Sequence, residues 1–195
     1  MNSNNHITVD QIKNDAEVIK KELVEWRHYL HAHPELSFKE ERTTHYIVNK
    51  LKNFGYTDIQ IGFGPLKTGV MVEIGSGRPC VMLRADIDAL PIQEQTGVEF
   101  CSQSKGVSHA CGHDAHITNL LGVAKLLKKY ENSIKGRVKL LFQPAEETRV
   151  KIYEKPLSGA GYVVRSGAID DVDAIFGMFG GCLVKEKYTL NLVQQ

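Results

Sequence analysis

Apolar residues recur at helical spacing through residues 8–31, where Ile12, Val18, Leu23, Trp26 and Leu30 fall on or near one face with Lys and Glu between them. His33-Pro34 ends that run, since proline has no amide proton and biases the residue before it toward extended backbone. Ser37 followed three residues later by Glu40 reads as a capping box, and Phe38, Tyr46, Ile47, Leu51 and Phe54 give a second amphipathic helix closed by Gly55. Three runs with strand character come next, at 58–61, 69–74 and 80–85, and the turn-rich link 75–79 predicts that the last two form a hairpin. A third helix covers 116–130, with Ile117, Leu120, Leu121, Ala124 and Leu127 on one side and Lys125, Lys128 and Lys129 on the other. Residues 138–142 are continuously apolar, the pattern of a strand buried on both faces, and Pro144 stops them. A short helix at 160–166, closed by Gly167, and a further buried strand at 174–178 complete the pattern. This order predicts an α/β fold, a three-layer α/β/α sandwich around a mixed sheet.

Composition narrows the classes of function. With 195 residues, 42% of them hydrophobic, the chain has the makings of one globular domain with a substantial core. Its 24 Lys+Arg against 23 Asp+Glu leave a formal charge of +1, without the net basic face that phosphate binding requires, so no nucleic-acid partner is expected. No stretch reaches the length of a bilayer span and the polar first thirteen residues lack an apolar signal core, so no membrane association is expected and the location is read as cytoplasmic. Cys80, Cys101, Cys111 and Cys182 show no C-x-x-C pairing, which predicts free thiols, one of them a candidate ligand.

Three apolar runs end in groups able to do chemistry, and in open α/β sheets such groups collect at the carboxyl ends of strands. The first is Asp86 and Asp88, an i, i+2 pair that projects to one side if the backbone stays extended. The second is the segment 108–116, which places His109, Cys111, His113, Asp114 and His116 within eight residues ahead of a helix. The third is Glu146-Glu147, just after Gln143-Pro144-Ala145. Taken singly, the aspartates also read as turn residues and the two glutamates as a solvated first helical turn. The Cys/His segment has fewer structural uses, because thiolate and imidazole are natural ligands of a borderline-soft divalent metal. A structural zinc site lacks a second ligand pair, and a nucleophilic cysteine served by His109 or His113 lacks an evident oxyanion loop. A catalytic metal centre with a glutamate as base accounts for all three clusters together.

Four blocks carry a family resemblance: residues 30–37 (LHAHPELS), 83–91 (LRADIDALP), 108–116 (SHACGHDAH) and 142–147 (FQPAEE). In this order they resemble the signature blocks of the two-metal amidohydrolase and metallopeptidase family that includes hippurate hydrolase, N-acyl-amino-acid amidohydrolases, N-acetyl-diaminopimelate deacetylase and auxin-conjugate hydrolases. The resemblance implies Cys111, His113 and Glu147 as metal ligands, Glu146 as general base, and Asp88 as the carboxylate that orients the site. It assigns no ligand role to His109, Asp114 or His116. It further implies two divalent ions, Zn or Mn, and a small N-acyl amino acid or peptide as substrate, its amide bond cleaved by an activated water.

The resemblance runs over roughly 30–178, and residues 1–178 are read from it as the N-terminal part of the family's catalytic domain. Position 179 is Phe where the family pattern has a histidine ligand, and phenylalanine has no lone pair to offer. The family's lid or dimerisation domain and its final histidine are absent, so a homodimer is expected only where that domain exists. With two of the family's ligands missing, metal occupancy is expected to fall, and 179–195 is expected to be a non-native tail from a truncated or shifted reading frame. The half-built sheet is expected to leave an apolar edge exposed. The alternative function is therefore a catalytically inactive fragment or an interaction module.

Overall fold

The computed structural model describes residues 7–151 and 155–178. The first helix, α1 (Val9–Ala32), starts at Thr8, whose hydroxyl accepts from the Gln11 amide at 3.2 Å while the Gln11 side chain accepts from the Thr8 amide at 2.8 Å. This reciprocal pair satisfies two amides that the helix itself cannot. Of the stripe predicted for α1, Trp26 and Leu30 are buried, but Val18 is 80% exposed and Ile19 takes the inward position. Positions 19, 23, 26 and 30 lie three or four residues apart and share a face, whereas Val18 is one helical step away from it.

The second helix, α2 (Glu41–Phe54), ends at Gly55, which adopts a left-handed φ of 96°. The capping box predicted at Ser37 and Glu40 does not form, because both side chains are engaged elsewhere: Ser37 with Asp88, Glu40 with Thr68 and Ala145. Glu35 covers the first turn instead, its carboxylate accepting from the amides of Arg42 and Thr43 at 3.1 and 2.7 Å.

Five strands follow: β1 (Ile59–Phe63), β2 (Leu66–Ser76), β3 (Cys80–Asp86), β4 (Gly136–Gln143) and β5 (Ala174–Gly177), in the sheet order β1-β2-β4-β3-β5. The hairpin expected between β2 and β3 is absent; β2 instead pairs antiparallel with β1, and β4 lies between β2 and β3. The apolar run in β4 decides this. Leu140, Leu141 and Phe142 are buried on both faces, which suits only the interior of a sheet covered on each side. β4 thus pairs antiparallel to β2 and parallel to β3.

Helices α1, α2 and α3 (His113–Lys129) cover one face, where Trp26, Ile47, Leu51, Val70, Val72, Leu121, Leu140 and Phe142 form one core cluster. Helix α4 (Gly159–Arg165) lies on the other, its Val163 packed with Phe63, Met71, Met82 and Leu141. The α/β/α sandwich with a mixed sheet is thus built from alternate residues of the same strands. The strand at 174–178 differs from its expected burial. β5 pairs only with β3 among the described residues, its positions alternate between partly covered and exposed, and Ile175 is 39% exposed.

No helix among the described residues is long and apolar enough to cross a membrane. The sequence expectations for 179–195, including Phe179, Cys182 and the strand-like 188–193, lie outside the described residues.

Candidate metal centre

Because β3 and β4 run parallel, their last residues, Asp86 and Gln143, are register partners, and the loops that follow leave the same end of the sheet. Helix α3 begins at that end with His113, directly after Gly112, whose φ of 81° is left-handed. Three chain segments separated in sequence therefore deliver their polar residues to one place.

The loop after β3 contributes Asp88, whose side chain is fully buried. Its Oδ2 accepts from Ser37 Oγ at 2.6 Å and from the Glu147 amide at 3.0 Å, and its main-chain oxygen lies 2.8 Å from His113 Nδ1. A carbonyl oxygen can only accept, so Nδ1 carries a proton and Nε2 is the ring atom left to bind elsewhere. That Nε2 faces Asp86 Oδ1 at 3.6 Å and Glu147 Oε1 at 3.7 Å.

The turn after β4 is tightly determined. Ala145 has a φ of 50°, one of two non-glycine residues described in the left-handed region. Its amide donates to Glu40 Oε1 at 2.7 Å, and its carbonyl accepts from the Gly159 amide at 2.7 Å. Gly159 is required there, because a Cβ would sit 1.6 Å from the Pro144 oxygen. The turn carries Glu146 and Glu147 to the sheet end.

Cys111, His113 and Glu147 each offer a ligand atom within 4.8 Å of the other two. Asp86, His113 and His116 form a second such group, sharing His113. In it His116 Nδ1 is 2.7 Å from Asp86 Oδ1, while Arg84 Nη1 is 2.9 Å from Asp86 Oδ2. Asp88 thus sits behind His113, with its main-chain oxygen on the ring's Nδ1, and Asp86 and His116 stand beside the ring. Neither Asp86 nor His116 was assigned a metal role from sequence; their i and i+2 or i and i+3 spacing to Asp88 and His113 was the available signal. Ser37 and Glu40 were masked by their resemblance to a helix cap.

The electrostatics are those of an anionic cluster. Burial and the neighbouring Glu147 push the Cys111 thiol up to about 11, and burial and Glu147 also raise the Glu146 carboxyl above its ordinary value. Burial alone would raise Asp86 and Asp88 too. The His116 hydrogen bond and Arg84 hold Asp86 low, and hydrogen bonds from His113, Ser37 and the Glu147 amide hold Asp88 low. His113 is raised despite burial, by Asp88 and Asp86. A thiol, a buried imidazole with one nitrogen fixed by a carbonyl, and a carboxylate make a borderline-soft donor set, and a divalent cation would neutralise the crowding of carboxylates around them. The residues fit a metal ion.

Behind this centre Asp114, fully buried, accepts from Arg27 Nε at 3.3 Å and lies 2.8 Å from His31 Nδ1, while His31 Nε2 lies 2.9 Å from Glu94 Oε1. The network ties the first turn of α3 to α1. His109 is buried with neither ring nitrogen hydrogen-bonded to a described residue.

The fold is thus an α/β/α sandwich that gathers thiol, imidazole and carboxylate donors, a candidate metal site, at the carboxyl end of its parallel strands. The chain belongs to peptidase family M20/M25/M40, whose family model matches residues 82–193, a span that continues past Met178 into the last segment. It is 41% identical over 173 residues to an N-acyl-L-amino acid amidohydrolase of Geobacillus stearothermophilus, covering 88% of this chain and 44% of that protein. It is 47% identical over 162 residues to an N-acetyl-L-cysteine deacetylase of Bacillus subtilis (strain 168), covering 82% of this chain and 36% of that protein. Among solved structures, a Bacillus subtilis protein described as a dinuclear metal-binding peptidase of the M20 family superposes with a TM-score of 0.74 at 42% identity, covering 85% of this chain and 44% of that one. The chain thus spans less than half the length of these relatives.

Proposed function

We propose that this chain carries the N-terminal part of the catalytic domain of a metal-dependent amidohydrolase that cleaves the amide bond of N-acyl amino acids or small peptides. The observation that carries the reading is the convergence of Cys111, His113 and Glu147 at the sheet end, with Glu146 next to Glu147 in a turn held from both sides. The names of the relatives, an N-acyl-amino-acid amidohydrolase and an N-acetylcysteine deacetylase, support the substrate class.

Cys111, His113 and Glu147 would hold the metal. The thiol favours Zn, the surrounding carboxylates admit Mn, and the dinuclear neighbour supports a pair of ions. When bound, the metal supplies Lewis acidity, polarising the substrate carbonyl and lowering the pKa of water at the site. Asp88 orients the His113 ring through its main-chain oxygen and holds the Glu147 amide through its carboxylate. Glu146 is the general base: it takes the proton of the attacking water at a carboxylate oxygen and delivers it to the departing amine nitrogen. Its raised carboxyl suits both halves of that transfer. The free thiols Cys80, Cys101 and Cys111 support a reducing, cytoplasmic location.

The test is an assay of the purified chain with hippurate and acetyl-amino acids in the presence of Zn or Mn. Turnover that Glu146→Gln abolishes supports the reading. Absence of turnover under either metal supports instead the alternative of a catalytically inactive fragment or an interaction module.

A further inference from the structure

Glu40 is 0% exposed and forms no ion pair among the described residues; its contacts are hydrogen bonds. Oε2 accepts from Thr68 Oγ1 at 2.8 Å and Oε1 accepts from the Ala145 amide at 2.7 Å. Burying a carboxylate without a cation is costly, and burial pushes its carboxyl above the ordinary value. The second of these bonds links the entrance of α2 to the turn after β4, 105 positions away. That turn contains the left-handed Ala145, a conformation that an L residue such as alanine adopts only when the surroundings impose it. Its surroundings are Glu40 on the amide and Gly159 on the carbonyl, and the two residues that follow are Glu146 and Glu147.

We propose that Glu40 is a positioning residue of the metal centre: by accepting the Ala145 amide it holds the kink that sets the Glu147 and Glu146 carboxylates opposite His113 and Cys111. The inference rests on the metal-hydrolase reading above and adds to it a residue from a distant segment of the chain. What the turn needs from Glu40 is an acceptor oxygen at the right reach. Charge is not the requirement, since a glutamine could place its carbonyl oxygen on the Ala145 amide and its NH2 group on the Thr68 hydroxyl.

The full chain carrying Glu40→Gln, Glu40→Asp, Glu40→Met or Thr68→Val is titrated with Co(II), followed by absorption. Exchange of the Ala145 amide is followed by NMR in the metal-free proteins. Glu40→Met removes the acceptor and Glu40→Asp withdraws it by one methylene; both are expected to weaken Co(II) binding by about 10-fold, the low end of the effect of losing a group bonded directly to a ligand, because Glu40 acts one residue further back through the Ala145 turn, and to speed Ala145 exchange. Glu40→Gln is expected to stay close to wild type in both readouts. Thr68→Val, which leaves the Ala145 bond in place, is expected to lower the melting temperature with Co(II) affinity retained. The inference is overturned if Glu40→Asp lowers stability with Co(II) affinity unchanged, if Glu40→Gln is as impaired as Glu40→Asp, or if Ala145 exchange does not respond. Failure of the wild-type chain to take up Co(II) is a different result, which removes the metal reading itself.

Discussion

The Nδ1 of His113 lies 2.8 Å from the main-chain oxygen of Asp88, and this one hydrogen bond turns Nε2 toward Asp86 and Glu147. The same aspartate holds Ser37 and the Glu147 amide with its carboxylate, so it contacts two of the three candidate metal ligands at once. Asp88→Ala leaves the carbonyl in place but removes the second hold. Zinc affinity, measured by competition with a chelator, is expected to drop about 10–100-fold, and Asp88→Asn, which keeps one acceptor oxygen, to fall between. Unchanged affinity in Asp88→Ala would show that Glu147 is held some other way.

Cys111 gives a prediction about protons. With its thiol pushed up to about 11 by burial and Glu147, it is protonated at neutral pH and must lose that proton to ligate. Affinity is therefore expected to rise with pH by about tenfold per unit from this group alone, at all pH values below the thiol's own. Calorimetric titration in buffers of different ionisation enthalpy should show release of a proton that Cys111→Ser no longer contributes. A pH-independent affinity, with no such release, would place the thiol outside the metal shell.

The His31–Glu94 pair governs stability against pH. Burial would raise the Glu94 carboxyl, but hydrogen bonds from Thr96, His31 and the Ser102 amide bring it down to about 2, so its contribution is present above about 4.5 and is lost as pH falls toward 2. His31 is raised above 6.5 by Glu94 and Asp114 in spite of burial; its contribution is complete below 6.5 and lost as pH rises through the raised value. Between these limits both act together. Glu94→Gln is expected to lower stability by about 1 kcal/mol at pH 6 and to flatten the acid limb of the denaturation profile. An acid limb identical to wild type would show that the pair contributes nothing.

The fold was legible where a periodicity had one physical solution. The apolar run at 138–142 and the amphipathic 116–130 segment each appear where expected, α3 beginning three residues earlier because Gly112 supplies the left-handed entry. Pairing was less legible. The link 75–79 suggested a hairpin because a turn is a local signal, while the insertion of β4 between β2 and β3 is decided by residues about sixty positions away that need covering on both faces. The site divides in the same way. Cys111, His113 and the adjacent glutamates are local clusters of unusual composition. Ser37 and Glu40 carry a pattern identical to a helix cap, and only the folded chain shows that they face Asp88 and Ala145. Asp86 is an ordinary strand-end residue and His116 an ordinary helix residue until the fold sets the end of β3 against the first turn of α3, which carries His113 and His116 on one face.

One burial position that matches the sequence pattern and one that departs from it can be checked by stability. Leu140→Ala in the central strand, fully buried, is expected to cost about 2–5 kcal/mol in denaturant unfolding. Val18→Ala, at a position 80% exposed on α1, is expected to change stability by less than about 0.5 kcal/mol. A large effect at Val18 would show that something covers that side of the helix.

The most direct measurement is the metal content of the purified chain after loading with Zn and gel filtration, compared with His113→Ala and Glu147→Gln. Convergence of Cys111, His113 and Glu147 predicts that the wild-type chain retains at least one ion and that each substitution removes it or weakens it enough to be lost on the column. A wild-type chain that retains no ion, or variants that retain as much as the wild type, would contradict the account.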